Sequence, residues 1–188
     1  MSTSSLDASL PADAVAFLEA WPAPDDEQAR LRSSYLLHLA AHPDGCARSC
    51  FPAHLTAGAL VLSQDGSQVL LNLHRKARRW FHFGGHLEPG DPSLAAAALR
   101  EATEESGIPG LVLDPAPVHL SAHTVAFCDP RGPVQHLDVR FCARVPAGTV
   151  PSVSDESLDV RWWPVGELPT AEPDMLELVR LAGGRFPR

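Results

Sequence analysis

Long apolar runs are missing from this sequence. Nowhere do the roughly 18 consecutive apolar residues that form a membrane-spanning helix occur. The first residues, Met1 to Ala20, also lack the basic leader and the apolar stretch of a secretory signal. Four cysteines in 188 residues are too few to form a disulfide framework. These absences predict a protein of the reducing cytoplasm that has no membrane partner.

Positive charge is scarce as well. Lysine and arginine number 15 against 23 aspartates and glutamates, so the formal net charge is -8. Nucleic-acid binding depends on clustered basic residues, and this balance argues against a nucleic acid polymer as the partner. A small phosphorylated substrate needs only a local basic patch. The densest basic run is His74 to Arg79, in which Arg75 and Arg79 are predicted to contact such a substrate; a solvated loop is the alternative.

The cysteines nearest the N-terminus lack the spacing of a zinc site. Cys46, Cys50 and His54 do follow one another at intervals of four. However, Pro52 would interrupt any helix that aligned them, and the paired Cys-x-x-Cys spacing of structural zinc sites is missing. Buried free thiols are therefore the preferred interpretation of these cysteines.

The apolar pattern of the N-terminal part predicts two amphipathic helices, Pro11 to Trp21 and Asp26 to Ala41. We expect them to form an N-terminal helical extension, residues 1–50, that packs on the core. A substrate lid or a dimer interface is the functional alternative for these helices, so a homodimer stays open. Residues 51–188 are predicted to form the main domain.

In the main domain, strands precede, surround and follow one central helix. The predicted elements are strands 57–63 and 68–74, helix 93–106, strands 111–113, 118–127, 136–145 and 158–163, and a final helix from Glu172 to Leu181. A glycine loop is expected between the second strand and the first of these helices. This order indicates an α+β or mixed α/β protein with a mixed β-sheet between helices.

The central helix carries a cluster of carboxylates and follows the glycine pair Gly84 and Gly85. An α-helix advances about 100° per residue, so Glu101, Glu104 and Glu105 share one face. Like charges at these spacings destabilise a helix, and a cation between them would remove the repulsion. Carboxylates suit Mg²⁺ or Mn²⁺, and adjacent glycines let backbone groups approach a metal or a phosphate. The helix face and the glycine pair together predict a site for one of these metals.

The ends of this helix are also predicted from its sequence. Asp91 and Pro92 are expected to serve as N-cap and first-turn residue, and Gly107 as the C-terminal stop. Leu94 and Leu99, with the alanines around them, supply an apolar stripe beside the acidic face. One face of the helix is therefore expected to pack on the core while the next binds the metal.

The spacing of these residues resembles the Nudix box, the signature of hydrolases that cleave a diphosphate linked to another moiety. The residues that match its fixed positions are Gly85, Arg100, Glu101, Glu104, Glu105, Gly107 and Ile108. Two departures lie in the loop that enters the helix: Asp91 replaces glutamate, and eight residues instead of seven separate it from Arg100. The neighbouring strands extend the resemblance to roughly residues 54 to 170, and it implies a Nudix-type sandwich of a mixed sheet between helices.

The resemblance implies a role for each acidic residue. The metal ligands are expected to be Glu101, Glu104, Glu105 and the carbonyl of Gly85. Glu156, in a loop before the last strand, is a candidate general base or additional ligand. For the general base the order of preference is Glu104, Glu101, Glu156.

Three further residues are predicted to support the chemistry. Arg100, four residues before Glu104, could contact the substrate, but we expect it instead to hold that carboxylate in position through a charge-assisted hydrogen bond. Gly84 and His86 are predicted to contact the substrate, the first through its backbone and the second through its ring.

The activity implied is Mg²⁺- or Mn²⁺-dependent hydrolysis of a nucleoside diphosphate linked to another moiety. Three alternatives stay open. One is a house-cleaning pyrophosphohydrolase of (d)NTPs, and another is an isopentenyl diphosphate isomerase, for which Cys128 or Cys142 would have to supply a catalytic thiol. The third is a non-catalytic regulatory module that binds a nucleotide, against which the intact acidic motif argues.

Overall fold

The computed structural model describes residues 9–146, 148–155 and 157–185. Within them the chain forms four α-helices and eight β-strands. In chain order the elements are α1 (Ser9–Ala20), α2 (Asp26–Ala41), β1 (Ala53–Leu62), β2 (Gln68–His74), β3 (Trp80–Phe81), β4 (Phe83–His86), α3 (Leu94–Ser106), β5 (Val112–Leu113), β6 (His119–Asp129), β7 (Gly132–Arg144), β8 (Ser157–Pro164) and α4 (Pro173–Gly183). The predicted α+β class with a mixed sheet is confirmed.

Hydrogen bonding between strands follows the order β3-β2-β1-β7-β5, with β4 paired to β1, β6 to β7 and β8 to β2. β2 pairs antiparallel with β1, where Val61 lies opposite Leu70, and with β8, where Leu70 lies opposite Trp162. The residues Val69 to Leu71 of β2 are buried. None of the helices in the described parts of the chain is long and apolar enough to cross a membrane.

The residues cluster into two compact units. One comprises the described residues up to Ala57 together with 86–97 and 120–139; the other comprises 58–85, 98–119 and the described residues from Arg140 onward. β1, α3 and β7 each contribute residues to both units.

In the first unit, helix α2 is bonded to β6 and β7. The buried side chain of Gln28 donates to the backbone oxygen of Leu120 at 3.1 Å and accepts from its N–H at 2.7 Å. The hydroxyl of Tyr35 donates to the backbone oxygen of Asp138 at 3.3 Å. Both predicted N-terminal helices are present; α2 is bonded to strands, whereas Asp13 of α1 accepts the N–H of Leu94, the first residue of α3, at 3.3 Å. The division of the chain at residue 50 stays a prediction.

In the second unit, helix α4 covers an apolar cluster contributed by five elements or their flanks. Its buried members are Leu60, Leu62, Val69, Leu71, Val118, Cys142, Met175, Leu178, Val179 and Ala182. The N-terminal turn of α4 is also tied by charge, because Nη1 of the buried Arg140 donates to Oδ2 of Asp174 at 2.5 Å. This unit contains the acidic part of α3 and most of β4.

The central helix lies where it was predicted, but a different residue caps it. Helix α3 begins at Leu94, and the Oγ atom of Ser93 accepts the N–H of Ala96 at 3.1 Å, which is the N-cap interaction. Asp91, the predicted cap, instead closes the preceding turn by accepting the N–H of Glu88 at 2.8 Å. The predicted stop at Gly107 is confirmed by its φ of +65°.

Two short strands were not predicted. The glycine segment expected to be a loop is strand β4, and β3 precedes it. Glycine has low β propensity, so β4 has no strand pattern of its own, and β3 is only two residues long. Pairing with β1 compensates for the low β propensity of β4. The two strands approach closely, since a Cβ atom at Gly58 of β1 would lie 2.6 Å from the carbonyl oxygen of Phe83 in β4. Glycine at position 58 therefore lets the two backbones approach.

Candidate active site

Glu105 is the least exposed of the three carboxylates on helix α3. The residue is 7% exposed, and its Oε2 atom accepts hydrogen bonds from the N–H of Gly84 at 3.1 Å and from Nδ2 of Asn72 at 3.4 Å. A buried negative charge is costly unless donors satisfy it, and these two donors hold the carboxylate in one place. Glu105 thereby joins the glycine segment to the acidic helix.

Gly85 lies directly against the carboxylate of Glu101. A Cβ atom added at Gly85 would be 2.7 Å from Oε1 and 2.9 Å from Oε2 of Glu101, closer than real Cβ atoms approach other atoms. A side chain at position 85 would therefore displace the Glu101 carboxylate from this position. The backbone of Gly85 and the carboxylate of Glu101 both offer oxygen atoms. Oxygen atoms are hard donors, which Mg²⁺ and Mn²⁺ prefer.

The guanidinium group of Arg100 contacts the other two carboxylates. Its Nη1 atom is 3.0 Å from Oε1 of Glu101 and 3.3 Å from Oε2 of Glu104, whose side chain is 61% exposed. The predicted contact with Glu104 is confirmed, and the contact with Glu101 adds to it. Charge-assisted hydrogen bonds of this kind restrain the acidic side chains, so Arg100 is placed to orient both.

The three carboxylates do not meet at one point. Within the described residues their oxygen atoms do not form a group in which all lie within 4.8 Å of one another. Glu105 accepts from Gly84 and Asn72, whereas Glu101 and Glu104 share the guanidinium group of Arg100. The expectation of convergence on one ion is therefore not met in this arrangement. Their assignment as metal ligands stays a prediction.

The two arginines predicted to bind substrate both have protein partners. Arg75 donates from Nε to the backbone oxygen of Asp155 at 2.8 Å and from Nη2 to that of Ser157 at 3.0 Å. Arg79 forms an ion pair with the glutamate that precedes α4. Arg75 therefore holds the chain on both sides of position 156, whereas Glu156 itself lies outside the described residues. The substrate role of the two arginines stays a prediction.

His86 belongs to a cluster of histidine and cysteine side chains. Its Nε2 atom is 3.3 Å from Sγ of Cys128, and its ring centroid is 5.1 Å from that of His54 and 5.2 Å from that of His136. Burial, and after it the charge of Arg48, lowers the pKa of His86 to about 3. The ring is therefore neutral at pH 7 and offers a phosphate no positive charge. Substrate contact by His86 stays a prediction.

Asn72 is a site residue that the sequence analysis missed. It lies in the apolar strand β2, is 2% exposed and donates to Glu105. Its Oδ1 atom has no hydrogen-bond partner among the residues that the structure describes. A buried amide in an otherwise apolar strand requires polar partners. The asparagine within Val69-Leu-Leu-Asn-Leu73 was the available signal.

The histidine and cysteine cluster was also missed. Along the sequence His54 is spaced with Cys46 and Cys50, whereas the fold places it with residues from three other strands. Cys46 and Cys50 are buried and free, as predicted. No sequence spacing joins residues so far apart, since strand pairing alone brings them together.

Comparison with known proteins gives one family and many similar folds. A family model described as the NUDIX domain matches residues 52–182, more than half of the chain. A solved NUDIX family hydrolase from Clostridium perfringens is 22% identical and covers 70% of this chain and 94% of its own, with a TM-score of 0.53. The Escherichia coli dihydroneopterin triphosphate pyrophosphohydrolase is 18% identical, with coverages of 68% and 94% and a TM-score of 0.55.

A third similar structure contains a ligand. The NUDIX domain of Shewanella oneidensis NrtR, in complex with ADP ribose, is 22% identical and covers 79% of this chain and 96% of its own, with a TM-score of 0.53. At such identities the likeness shows the fold. No curated protein matches the chain.

Proposed function

The chain belongs to the Nudix family of hydrolases, and from this premise we propose that it uses Mg²⁺ or Mn²⁺ and water to cleave the diphosphate of a nucleoside diphosphate linked to another moiety. The observation that carries the proposal is the hydrogen bond from the N–H of Gly84 to Glu105. That bond brings the two halves of the motif, the glycine segment and the acidic helix, into contact. A helix whose acidic face served only solvation would not need this contact.

Four oxygen-donating groups are proposed to hold the metal: the carboxylates of Glu101, Glu104 and Glu105, and the carbonyl of Gly85. They fit a hard divalent cation because the donor set is all oxygen and the backbone at Gly85 lies against the carboxylate of Glu101. Held by these residues, such an ion would supply positive charge to the diphosphate oxygens and would make the attacking water more acidic.

A glutamate on α3 is proposed to act as general base. Water attacks one phosphorus in line, its proton passes to the glutamate, and the bridging P–O bond breaks with its electron pair on the leaving phosphate. Glu104 is the first candidate, because its side chain is 61% exposed and therefore accessible to water. Glu101 and then Glu156 follow. Arg75, which bonds to both neighbours of Glu156, is proposed to position that loop.

The direct test is a substrate panel with the full chain. Nucleotide sugars, ADP-ribose, dinucleotides and (d)NTPs are each assayed with Mg²⁺ and with Mn²⁺ for released phosphate or nucleoside monophosphate. We expect metal-dependent turnover of at least one diphosphate-linked substrate, and ADP-ribose is the first choice given the ligand of the NrtR domain. Preference for (d)NTPs would support the house-cleaning alternative. Turnover by chelated, metal-free protein would overturn the mechanism, and tight nucleotide binding without turnover would favour a regulatory module.

Arg100→Lys is expected to lower kcat by about 10- to 100-fold, the loss typical when a partner that orients a metal ligand is removed. A lysine ammonium keeps the charge but sits on a flexible stem and is less pre-organised than the guanidinium whose Nη1 contacts both Glu101 and Glu104. Because the carboxylates lose orientation rather than charge, KM for the substrate should change little. Steady-state kinetics on the best substrate measure both values.

The matched control for this substitution is Arg180→Lys, at an exposed arginine that pairs with Glu177 on helix α4. It should leave both kinetic constants near those of the wild type, since exposed pairs of this kind contribute little. An Arg100→Lys variant with unchanged kcat, or one that raises only KM, would contradict the orienting role.

A further inference from the structure

Three histidines and one cysteine from four strands come together in the first compact unit. They are His54 on β1, His86 on β4, Cys128 on β6 and His136 on β7, and one donor atom from each lies within 4.8 Å of all the others. The three imidazole centroids form a nearly equilateral triangle with sides of 5.0, 5.1 and 5.2 Å. Four side chains of metal-binding chemistry thus face one point.

The distances within the cluster match those of a tetrahedral zinc site. Zn–S bonds of about 2.3 Å and Zn–N bonds of about 2.0–2.1 Å place sulfur and nitrogen ligands about 3.5 Å apart. The Sγ atom of Cys128 is 3.2 Å from Nε2 of His136, 3.3 Å from Nε2 of His86 and 4.0 Å from Nε2 of His54. The observed distances bracket the expected one, so small side-chain adjustments would complete the coordination.

The imidazoles are neutral, as metal ligands must be. Burial is the largest cause that lowers the pKa of all three, to about 3 for His86 and about 4 for His136. In addition, Nδ1 of His54 donates to the backbone oxygen of Cys50 at 3.0 Å. This bond leaves the lone pair on Nε2 of His54, the atom that faces the sulfur. A backbone carbonyl plays the same orienting role for histidine ligands at known metal sites.

A hydrogen-bonded cluster without a metal is the competing explanation. A thiol carries one proton, so the sulfur donates to only one of the three nitrogens that surround it. In such a cluster the rings of His86 and His136 would donate to the sulfur, which is a weak acceptor. One cation that accepts a lone pair from each side chain would replace these weak hydrogen bonds with four coordinate bonds.

We propose that this cluster binds one Zn²⁺ in a closed site, with Nε2 of His54, His86 and His136 and the thiolate of Cys128 as its four ligands. Four protein ligands are typical of structural zinc, whereas catalytic zinc keeps one position for water. As the Zn–S bond forms, the thiol proton passes to solvent. Imidazole and thiolate prefer zinc to Mg²⁺, so the ion differs from the one proposed for the carboxylates.

The experiment titrates the full chain, stripped of metal by a chelator and kept in excess Mg²⁺, with Zn²⁺ and separately with Co²⁺. Mg²⁺ occupies the carboxylates, so the titration reports on nitrogen and sulfur ligands. We expect one Zn²⁺ per chain, a raised Tm with Zn²⁺, and for Co²⁺ the visible bands of tetrahedral coordination with a thiolate charge-transfer band. None of these readouts depends on hydrolysis, so they are independent of the proposed activity.

Cys128→Ser is expected to lose the charge-transfer band and to weaken Zn²⁺ binding by at least about 100-fold. Removing a residue that only hydrogen-bonds to a metal ligand already costs up to about 100-fold in metal affinity, and removing the ligand itself should cost at least as much. His136→Gln should weaken Zn²⁺ binding likewise. His42→Ala is the matched control. His42 lies outside the proposed site, in a separate group of side chains with Asp44 and Cys50, so this variant should bind Zn²⁺ as tightly as the wild type does. Wild-type protein that shows no charge-transfer band, or binds Zn²⁺ no better than Cys128→Ser, would overturn the proposal even if a variant fails to fold.

Discussion

Glu105→Gln is expected to lower kcat by about 100-fold or more while leaving Tm close to the wild-type value. The amide keeps the shape of the side chain and one oxygen to accept the N–H of Gly84, so packing is preserved. The negative charge is lost, and with it the contribution to metal binding that the motif implies. A residue that stabilises charge or transfers a proton in the transition state typically contributes factors of 10² to 10⁴.

The measurement is kcat and KM on the best substrate across a range of Mg²⁺ concentrations, with Tm as the check on folding. If Glu105 is a metal ligand, the Glu105→Gln variant should need more Mg²⁺ than the wild type for half-maximal activity. Glu104→Gln is expected to reduce kcat by a similar factor and, because Glu104 is proposed as a metal ligand as well as the general base, to raise the Mg²⁺ requirement too. Glu177→Gln, at an exposed residue paired with Arg180, is the control. Wild-type rates in both α3 variants would show that the site is misassigned.

Gly85→Ala is expected to lower kcat by about 100-fold. The new Cβ atom would lie 2.7 Å from Oε1 of Glu101, so the carboxylate or the backbone of β4 has to move. A displacement of about 1 Å in a catalytic arrangement can cost 10²-fold in rate. The effect arises from a single methyl group that removes no charge.

The matched control is Gly166→Ala, because a Cβ atom there would meet nothing within 4 Å in the described structure. It should have wild-type kinetics and an equal or slightly higher Tm, since alanine restricts the unfolded chain more than glycine does. A Gly85→Ala variant as active as Gly166→Ala would show that the approach of Gly85 to Glu101 has no part in the reaction.

Much of the fold follows from local sequence patterns. Helix α3 lies where its apolar stripe and acidic face predicted, and Gly107 ends it with a positive φ. The predicted contact between Arg100 and Glu104 is also local, since residues four apart are neighbours on a helix. The cap was wrongly predicted because Asp91 and Ser93 are both good capping residues, and the geometry of the turn decides which one reaches the helix.

Local sequence patterns predicted neither strand β4 nor its contact with helix α3. A segment with two adjacent glycines has no alternation to indicate a strand, and it becomes one only because β1 supplies hydrogen-bond partners along its edge. The same pairing aims the N–H of Gly84 at Glu105. Asn72, from yet another strand, joins this contact.

The sequence by itself determined the α+β class, the acidic helix and the Nudix motif, because these depend on residues within a few turns or a few tens of positions of one another. Tertiary structure alone decided that Glu105 turns to Gly84 and Asn72, and that Cys128 meets three histidines. The physical reason is that side-chain direction and strand pairing are set by long-range hydrogen bonding and packing, which no spacing along the chain encodes.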